Sequence, residues 1–430
     1  MDKYEVKNIF GKKGELTVQV PGSKSITNRA LLIAALAEGE SYLDGILFSD
    51  DSRHFMACID ALGIKTRVNE TEAAAEIFGT GGKLPVKEAE INVGSAGTAA
   101  RFLTAFLAMT EGTFHINSSE QMKKRPMKPL LDSLSALGAE IEYHEKGGFF
   151  PFTIKGKAPK SGDVEIDIDK SSQFLSAFLI SSTLFGEGVK IHVKGSHGMN
   201  YINITAKMME EFGITVKKPE PSLYVVEGGS KYSGRFYRVE ADVSAACYFY
   251  AAAAVLGITV TVKNVFFSSM QGDIGFLAVL EKMGCKISES ELGITVTGPE
   301  GGRLKGIDAD FSGFSDQALT LAAIAPYCEG EVTIRGIDHI REQECDRIAA
   351  IINNLGAMGV KAEDFGSGIK ITPGTPKPAE IETYDDHRVA MAFALTGLRA
   401  DGIVIKDPLC CRKTFENYFT VFDEIIKALS

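Results

Sequence analysis

Hydroxyls, amides, carboxylates and cations gather at six places along the chain, each at the start of an apolar run. These are PGSKSITNR (Pro21 to Arg29), GSAGTAAR (Gly94 to Arg101), DKSSQF (Asp169 to Phe174), ADVSAA (Ala241 to Ala246), GFSDQA (Gly313 to Ala318) and YDDHRVA (Tyr384 to Ala390). Helix capping is the ordinary reason for Ser, Thr and Asp in such places, because their oxygens accept from the orphan amides of a first turn. On that ground we expect it to account for roughly half of these residues. Capping does not explain Lys24, Arg29, Arg101 and Arg388, since a cation near a helix N-terminus opposes the macrodipole. A bound anion removes the conflict. Backbone N–H groups, hydroxyls and a guanidinium fork together make a phosphate or carboxylate site, so the chemistry these residues suit is recognition of small anions.

Two further polar runs are less specific on their own. KKRPMKP (Lys123 to Pro129) reads as a solvated turn, and HIREQECDR (His339 to Arg347) as an exposed face on which Arg341, Glu344, Asp346 and Arg347 pair at helical spacing. PGSKS is not followed by the GK[ST] of a phosphate-binding loop, and no strand-GxGxxG-helix unit occurs, so no nucleotide cofactor is expected. The seven histidines include no HExxH or equivalent ligand spacing, and no metal is assigned. A net charge of −10 argues against bulk electrostatic binding of nucleic acid, which leaves any anion to a local site. The cysteines (Cys58, Cys247, Cys285, Cys328, Cys345, Cys410 and Cys411) are odd in number and lack a CxxC pair, as expected of reduced thiols, with Cys410 and Cys411 structural. With no apolar leader and no long apolar run, the expected location is the cytoplasm.

The elements that must position these clusters repeat. Glycines that open a β-patterned run stand at Gly39, Gly112, Gly188, Gly257, Gly330 and Gly402, spaced 69 to 76 residues apart. A second series, Gly63, Gly138, Gly213, Gly284 and Gly359, closes amphipathic segments at intervals of 71 to 75 residues. In the third copy VEIDID alternates as a strand, SSQFLSAFLISSTLF has helical content, VKIHV alternates again, YINITAKMMEEF is helical, and ITVKK with LYVVEG suggests a hairpin. The second glycine series fits C′ positions, where a left-handed backbone is needed. Six copies of about 72 residues in a chain of 430 are too many for one core, so two groups of three are expected. The sixth copy lacks its hairpin. ELTVQV near the N-terminus is expected to supply its missing strand, which places both termini in one domain.

Taken together, the clusters and their order resemble the 5-enolpyruvylshikimate-3-phosphate synthase family of enolpyruvyl transferases over essentially the whole chain. The most specific pieces are PGSKSITNR, SAGTAARFL, KRPM, SSQFLSA, SMQGD (Ser269 to Asp273), ECDR, DDHRVAM and DPLCCRKTF. The resemblance implies an α/β fold, an inverse α/β barrel of two domains built from six βαβαββ-like units, three per domain. Residues 1–22 and 241–430 would form a discontinuous domain and residues 23–240 an inserted one, with the active site in the cleft. It also implies transfer of the enolpyruvyl group of phosphoenolpyruvate to the 5-hydroxyl of shikimate 3-phosphate. No cofactor and no nucleic-acid or membrane partner are expected, and the chain is expected to be a monomer.

Carried over by motif, Ser25, Arg29, Ser171, Ser172, Gln173 and Tyr201 are implied to hold shikimate 3-phosphate. Lys24, Gly97, Arg125, Gln173, Arg347, Arg388 and Lys413 are implied to hold phosphoenolpyruvate. Asp316 is the implied general base at the 5-hydroxyl and Glu344 the acid at the methylene carbon, with Lys24 an alternative for acid or base work. The family's inhibitor glyphosate is implied to occupy the phosphoenolpyruvate site against Gly97.

The chain departs from the family pattern at Gln343, where a Lys is usual, at His339 for Asn, and at Gly198 for Ser. A sister enzyme acting on UDP-N-acetylglucosamine shares the chemistry, but it typically has Lys-Asn where Lys24-Ser25 stand here and a mobile-loop Cys, whereas no Cys lies between Cys58 and Cys247. A non-catalytic anion-binding protein of the same fold is the other alternative.

Overall fold

The computed structural model describes residues 2–196 and 198–429; His197, one of the seven histidines, lies outside the described residues. Its elements form six modules, each with a small sheet and two α-helices. The helix pairs are α1 (Lys24–Leu36) and α2 (Asp50–Ala61), α3 (Gly97–Ala108) and α4 (Lys128–Ala136), then α5 (Gln173–Ser181) and α6 (Met199–Glu211). The remaining pairs are α7 (Val243–Leu256) and α8 (Phe276–Lys282), α9 (Ala318–Ile324) and α10 (Arg347–Ala357), and α11 (His387–Gly397) and α12 (Tyr418–Leu429).

The third module follows the expected order. Strand Gly162–Asp167 runs parallel to Gly188–Lys194 with α5 between them. After α6 comes the hairpin Lys217–Glu220 and Leu223–Glu227, whose second strand lies antiparallel to Gly188–Lys194. Alternation decides which way each strand faces: Val164 and Ile166 are buried while Glu165 and Asp167 are exposed.

The first helix of each module is the interior one. Every residue of α3 is buried, as is nearly all of α7, whose run SAACYFYAAAAVL is apolar around its circumference. A helix without a polar face has nowhere stable to sit except inside. α1, α3 and α5 pack on one another, and so do α7, α9 and α11. The second helices close at C′ glycines, with φ of 77° at Gly63, 98° at Gly138, 96° at Gly213, 110° at Gly284 and 74° at Gly359. The left-handed turn, not crowding, requires glycine at Gly213, because a Cβ there would meet nothing within 4 Å.

The chain divides into two compact units, Met1–Pro21 with Glu240–Ser430 and Gly22–Val239. The expectation for ELTVQV is corrected. Its strand Glu15–Val18 lies parallel to Thr259–Lys263 in the fourth sheet, whereas Lys3–Glu5 pairs antiparallel with Ile403–Lys406 in the sixth. The first sheet in turn takes its outer strand, Phe236–Arg238, from the far end of its unit. In the second, third, fifth and sixth modules the outer strand directly precedes the interior helix. At α1 and α7 the chain changes unit between strand and helix, so the strand ahead of each helix serves another sheet. The sixth sheet therefore has three strands among the described residues, and the other five have four. Among the described residues no helix is long and apolar enough to cross a membrane.

Because only the backbone conformation calls for glycine at Gly213, Gly213→Ala should destabilise its unit by about 1 kcal/mol. Gly213→Asn should recover roughly half of that, since Asn tolerates the left-handed region. Urea unfolding with an unchanged slope measures both; equal stability of the Ala and Asn proteins would contradict the assignment.

Candidate active site

In the unit Gly22–Val239 the interior helices start without side-chain caps. Ser23, Ala96 and Ser172 occupy the N-cap positions of α1, α3 and α5, and none makes a side-chain cap hydrogen bond. The orphan amides of these first turns are joined by cations. Lys24 Nζ lies 3.5 Å from Asp51 Oδ2. Arg101 Nη1 donates to the carbonyl of Gly97 at 3.0 Å. A Cβ on Gly97 would fall 2.7 Å from Nη1 of both Arg101 and Arg125, so two guanidiniums converge on the first residue of α3. The buried Nε of Arg125 has no hydrogen-bond partner among the described residues, nor has the buried Oε1 of Gln173. Gln173 Nε2 donates to Thr98 Oγ1 at 3.4 Å, joining the starts of α5 and α3.

Arg29 is only 2% exposed. Its Nε donates to Thr205 Oγ1 at 2.7 Å, Nη1 to the carbonyl of Ser25 at 2.9 Å, and Nη2 to Ser176 Oγ and the carbonyl of Tyr201, each at 3.2 Å. These acceptors are neutral, and no described carboxylate pairs with it. Burial accordingly pushes the Arg29 guanidinium down to about 10. Ser171 Oγ accepts from the backbone N–H of Gln173 at 3.3 Å. Gly198 has a φ of 65°, and a Cβ there would lie 2.5 Å from Ser172 Oγ, so the departure from Ser at this position goes with a close approach of the start of α6 to Ser172.

The other unit treats its buried arginine differently. Arg347, 1% exposed, donates from Nε to Asp386 Oδ2, from Nη1 to Asp316 Oδ1 and from Nη2 to Glu344 Oε2, all at 2.8 Å. Burial works to deprotonate it, but Asp386, Glu344 and Asp316 together outweigh that effect and hold the group more firmly charged than an ordinary arginine. Arg388 Nη2 grips the other oxygen of Asp316 at 2.8 Å. Asp386 also accepts from the backbone N–H of Arg388 at 2.8 Å and caps α11. Lys413 Nζ reaches the carbonyl and Oδ2 of Asp385 at 3.2 and 3.3 Å. His339 Nε2 meets Ser315 Oγ at 2.8 Å, and burial shifts this imidazole toward its neutral form.

Several expectations change at this level. Side-chain capping of the interior helices is confined to Asp242 and Asp386, so it explains fewer of the polar residues than half. HIREQECDR is not one helical face: a 3-10 turn, Asp338–Glu342, precedes the cap Asp346, and Arg347 is turned inward. KKRPMKP is not uniformly solvated either, since Arg125 is half-buried. Cys410 and Cys411 are buried. Sequence reading missed Asp386, Asp51, Thr205 and Gln317 as partners. The doubled acid before Arg388 was a usable signal for Asp386, but nothing local marks Thr205.

The family model described as EPSP synthase (3-phosphoshikimate 1-carboxyvinyltransferase) matches residues 11–422. The 3-phosphoshikimate 1-carboxyvinyltransferase of Trichormus variabilis is 45% identical over 413 residues, covering 96% of each chain. That of Nostoc punctiforme is 43% identical over 428 residues, covering 99% of this chain and all of the relative. The solved EPSP synthase from Acinetobacter baumannii superposes with a TM-score of 0.82 at 24% identity over 98% of this chain and 97% of that one, a likeness of fold. Matched along nearly its full length by the family model and by these relatives, the chain belongs to the EPSP synthase (3-phosphoshikimate 1-carboxyvinyltransferase) family.

Proposed function

We propose that this chain transfers the enolpyruvyl group of phosphoenolpyruvate to the 5-hydroxyl of shikimate 3-phosphate, releasing phosphate through a tetrahedral addition intermediate. Relatives that are 3-phosphoshikimate 1-carboxyvinyltransferases at 40% to 45% identity support the reaction. The observation that carries it on this chain's own residues is the positive charge at uncapped helix starts: among the described residues no carboxylate pairs with Arg29, and Arg101 and Arg125 meet at Gly97. Both substrates are polyanions and supply the missing negative charge.

In this reading Ser25, Arg29, Ser171, Ser172, Gln173 and Tyr201 hold shikimate 3-phosphate. Arg29 has spent four of its five N–H donors inside the protein, so it acts by charge and one remaining donor. Lys24, Gly97, Arg125, Gln173, Arg347, Arg388 and Lys413 hold phosphoenolpyruvate. Asp316 takes the proton of the 5-hydroxyl as its oxygen attacks C2 of phosphoenolpyruvate, for which one of its two guanidinium contacts must open. Glu344 is assigned to protonate C3. It is held by Arg347 Nη2 at 2.8 Å, and Lys24 is the second candidate. Loss of phosphate from C2 and of a proton from C3 then restores the vinyl group. The free thiols fit a reducing cytoplasm, and each unit carries part of the machinery on one chain, which fits a monomer.

Phosphate release from phosphoenolpyruvate that depends on shikimate 3-phosphate tests the reaction. Asp316→Asn should lower kcat by about 10²- to 10⁴-fold with a smaller change in KM for phosphoenolpyruvate, whereas Arg125→Ala should damage both constants. Near-normal turnover of Asp316→Asn would remove it as the base.

Gly97→Ala places a methyl against Nη1 of Arg101 and Arg125 and must push those guanidiniums aside. Glyphosate, the longer molecule, should be excluded more than the substrate. We expect inhibition competitive with phosphoenolpyruvate in the unsubstituted enzyme and a larger rise in the inhibition constant than in KM for Gly97→Ala. Equal rises would mean that Gly97 does not discriminate.

A further inference from the structure

Asp273 closes the SMQGD run and has no part in the roles assigned above. It is 6% exposed and sits in the 3-10 turn Gly272–Gly275. Its Oδ2 accepts from Ser244 Oγ, near the start of α7, and from Gln317 Nε2 at 3.2 Å. Gln317, the residue after Asp316, is fully buried, and its Oε1 accepts from Thr320 Oγ1 at 2.9 Å. Both donors to Asp273 are neutral, and no described cation forms an ion pair with it.

A carboxylate buried with neutral donors alone is unfavourable. Burial first, and then the like charge of Asp316, push Asp273 up to about 6, against the pull of Arg388, Ser244 and Gln317. The other titratable groups facing it come from α7. Cys247 donates its thiol to the Asp273 carbonyl at 3.7 Å, and both Asp273 and Asp242 act on that thiol. If the fold needed only the two hydrogen bonds, Asn would serve: its carbonyl oxygen accepts from both donors and brings no buried charge.

We infer that Asp273 is a positioning residue for the reaction: through Gln317 it fixes the turn that carries Asp316, and its negative charge keeps Asp316 able to accept a proton between Arg347 and Arg388. This inference rests on the reading of Asp316 as the proton acceptor. The guanidiniums on both oxygens of Asp316 favour its anionic form. A second carboxylate nearby has the opposite effect, because like charges make a proton welcome on either one.

The experiment uses the full chain with Asp273→Asn and, beside it, Asp316→Asn. Asp273→Asn should lose about tenfold or more in kcat while KM for each substrate stays within about threefold. The unsubstituted enzyme is expected to lose kcat as pH falls through about 6, and Asp273→Asn should lack that limb. Stability should move the other way. A carboxyl whose folded-state value is raised contributes stability that is complete below its ordinary value of 3.8 and is lost as pH rises through about 6. Asp273→Asn should therefore melt at a higher temperature than the unsubstituted protein at pH 7.5, with the difference shrinking toward pH 4. Unchanged kcat with an unchanged acid limb would overturn the inference, and so would a lower melting temperature at pH 7.5 with parallel losses in kcat and both KM values, which marks a structural role. Near-normal turnover of Asp316→Asn would instead overturn the underlying reading of Asp316, whatever Asp273→Asn does.

Discussion

A guanidinium taken out of water needs negative charge close by, and the two units meet that need in opposite ways. Arg347 is surrounded by Asp316, Glu344 and Asp386, which hold it charged. Arg29 is equally buried among hydroxyl and carbonyl oxygens, and burial lowers its hold on the proton. The first arrangement is complete without a ligand. The second has no partner among the described carboxylates, and in the proposed reading a bound polyanion would stabilise that charge.

The interior helices make that arrangement possible. Their apolar runs leave no polar face, so the only polar residues they can carry stand at their ends. Packing α1 with α3 and α5 gathers three uncapped starts in one unit. Packing α7 with α9 and α11 gathers Ser244, Asp316, Gln317 and Arg388 in the other. The acid caps Asp242 and Asp386 already occupy two of the helix starts there, which suits a cluster that handles protons and balances charge.

A pincer of two arginines on one carboxylate has a chemical consequence. Asp316 is firmly oriented, but in its proposed role the same contacts oppose its taking a proton. The buried carboxylate of Asp273 sits one hydrogen bond from the adjoining residue and works against that effect. Stability is given up at Asp273 in the proposed role, as is common where groups are tuned for reaction rather than for packing.

Much of the architecture was legible along the chain. The glycine series at Gly63, Gly138, Gly213, Gly284 and Gly359 announced helix ends, because a left-handed C′ residue is a local requirement that any repeat must meet in its own sequence. The six polar clusters announced where helices start, because the residue types at a helix start are likewise set locally, and the family motifs supplied the proposed roles of Lys24, Arg125, Asp316 and Arg388. Pairings between distant segments were not legible. ELTVQV alternates as a strand wherever it lies, and only the assembled sheets put it beside Thr259–Lys263 instead of in the sixth module. Capping and ion pairing were likewise misjudged, since a Ser before a helix and an Arg in a polar run look alike whether they face the helix, the solvent or a ligand. The sequence by itself determined the modules, their helix ends and the chemical types at each start, all of which depend on neighbouring residues. The tertiary structure alone decided that Arg29 is buried among neutral acceptors with no described carboxylate beside it, that Arg347 has three and that Asp273 reaches Gln317, because burial and charge partners are properties of residues brought together from far apart.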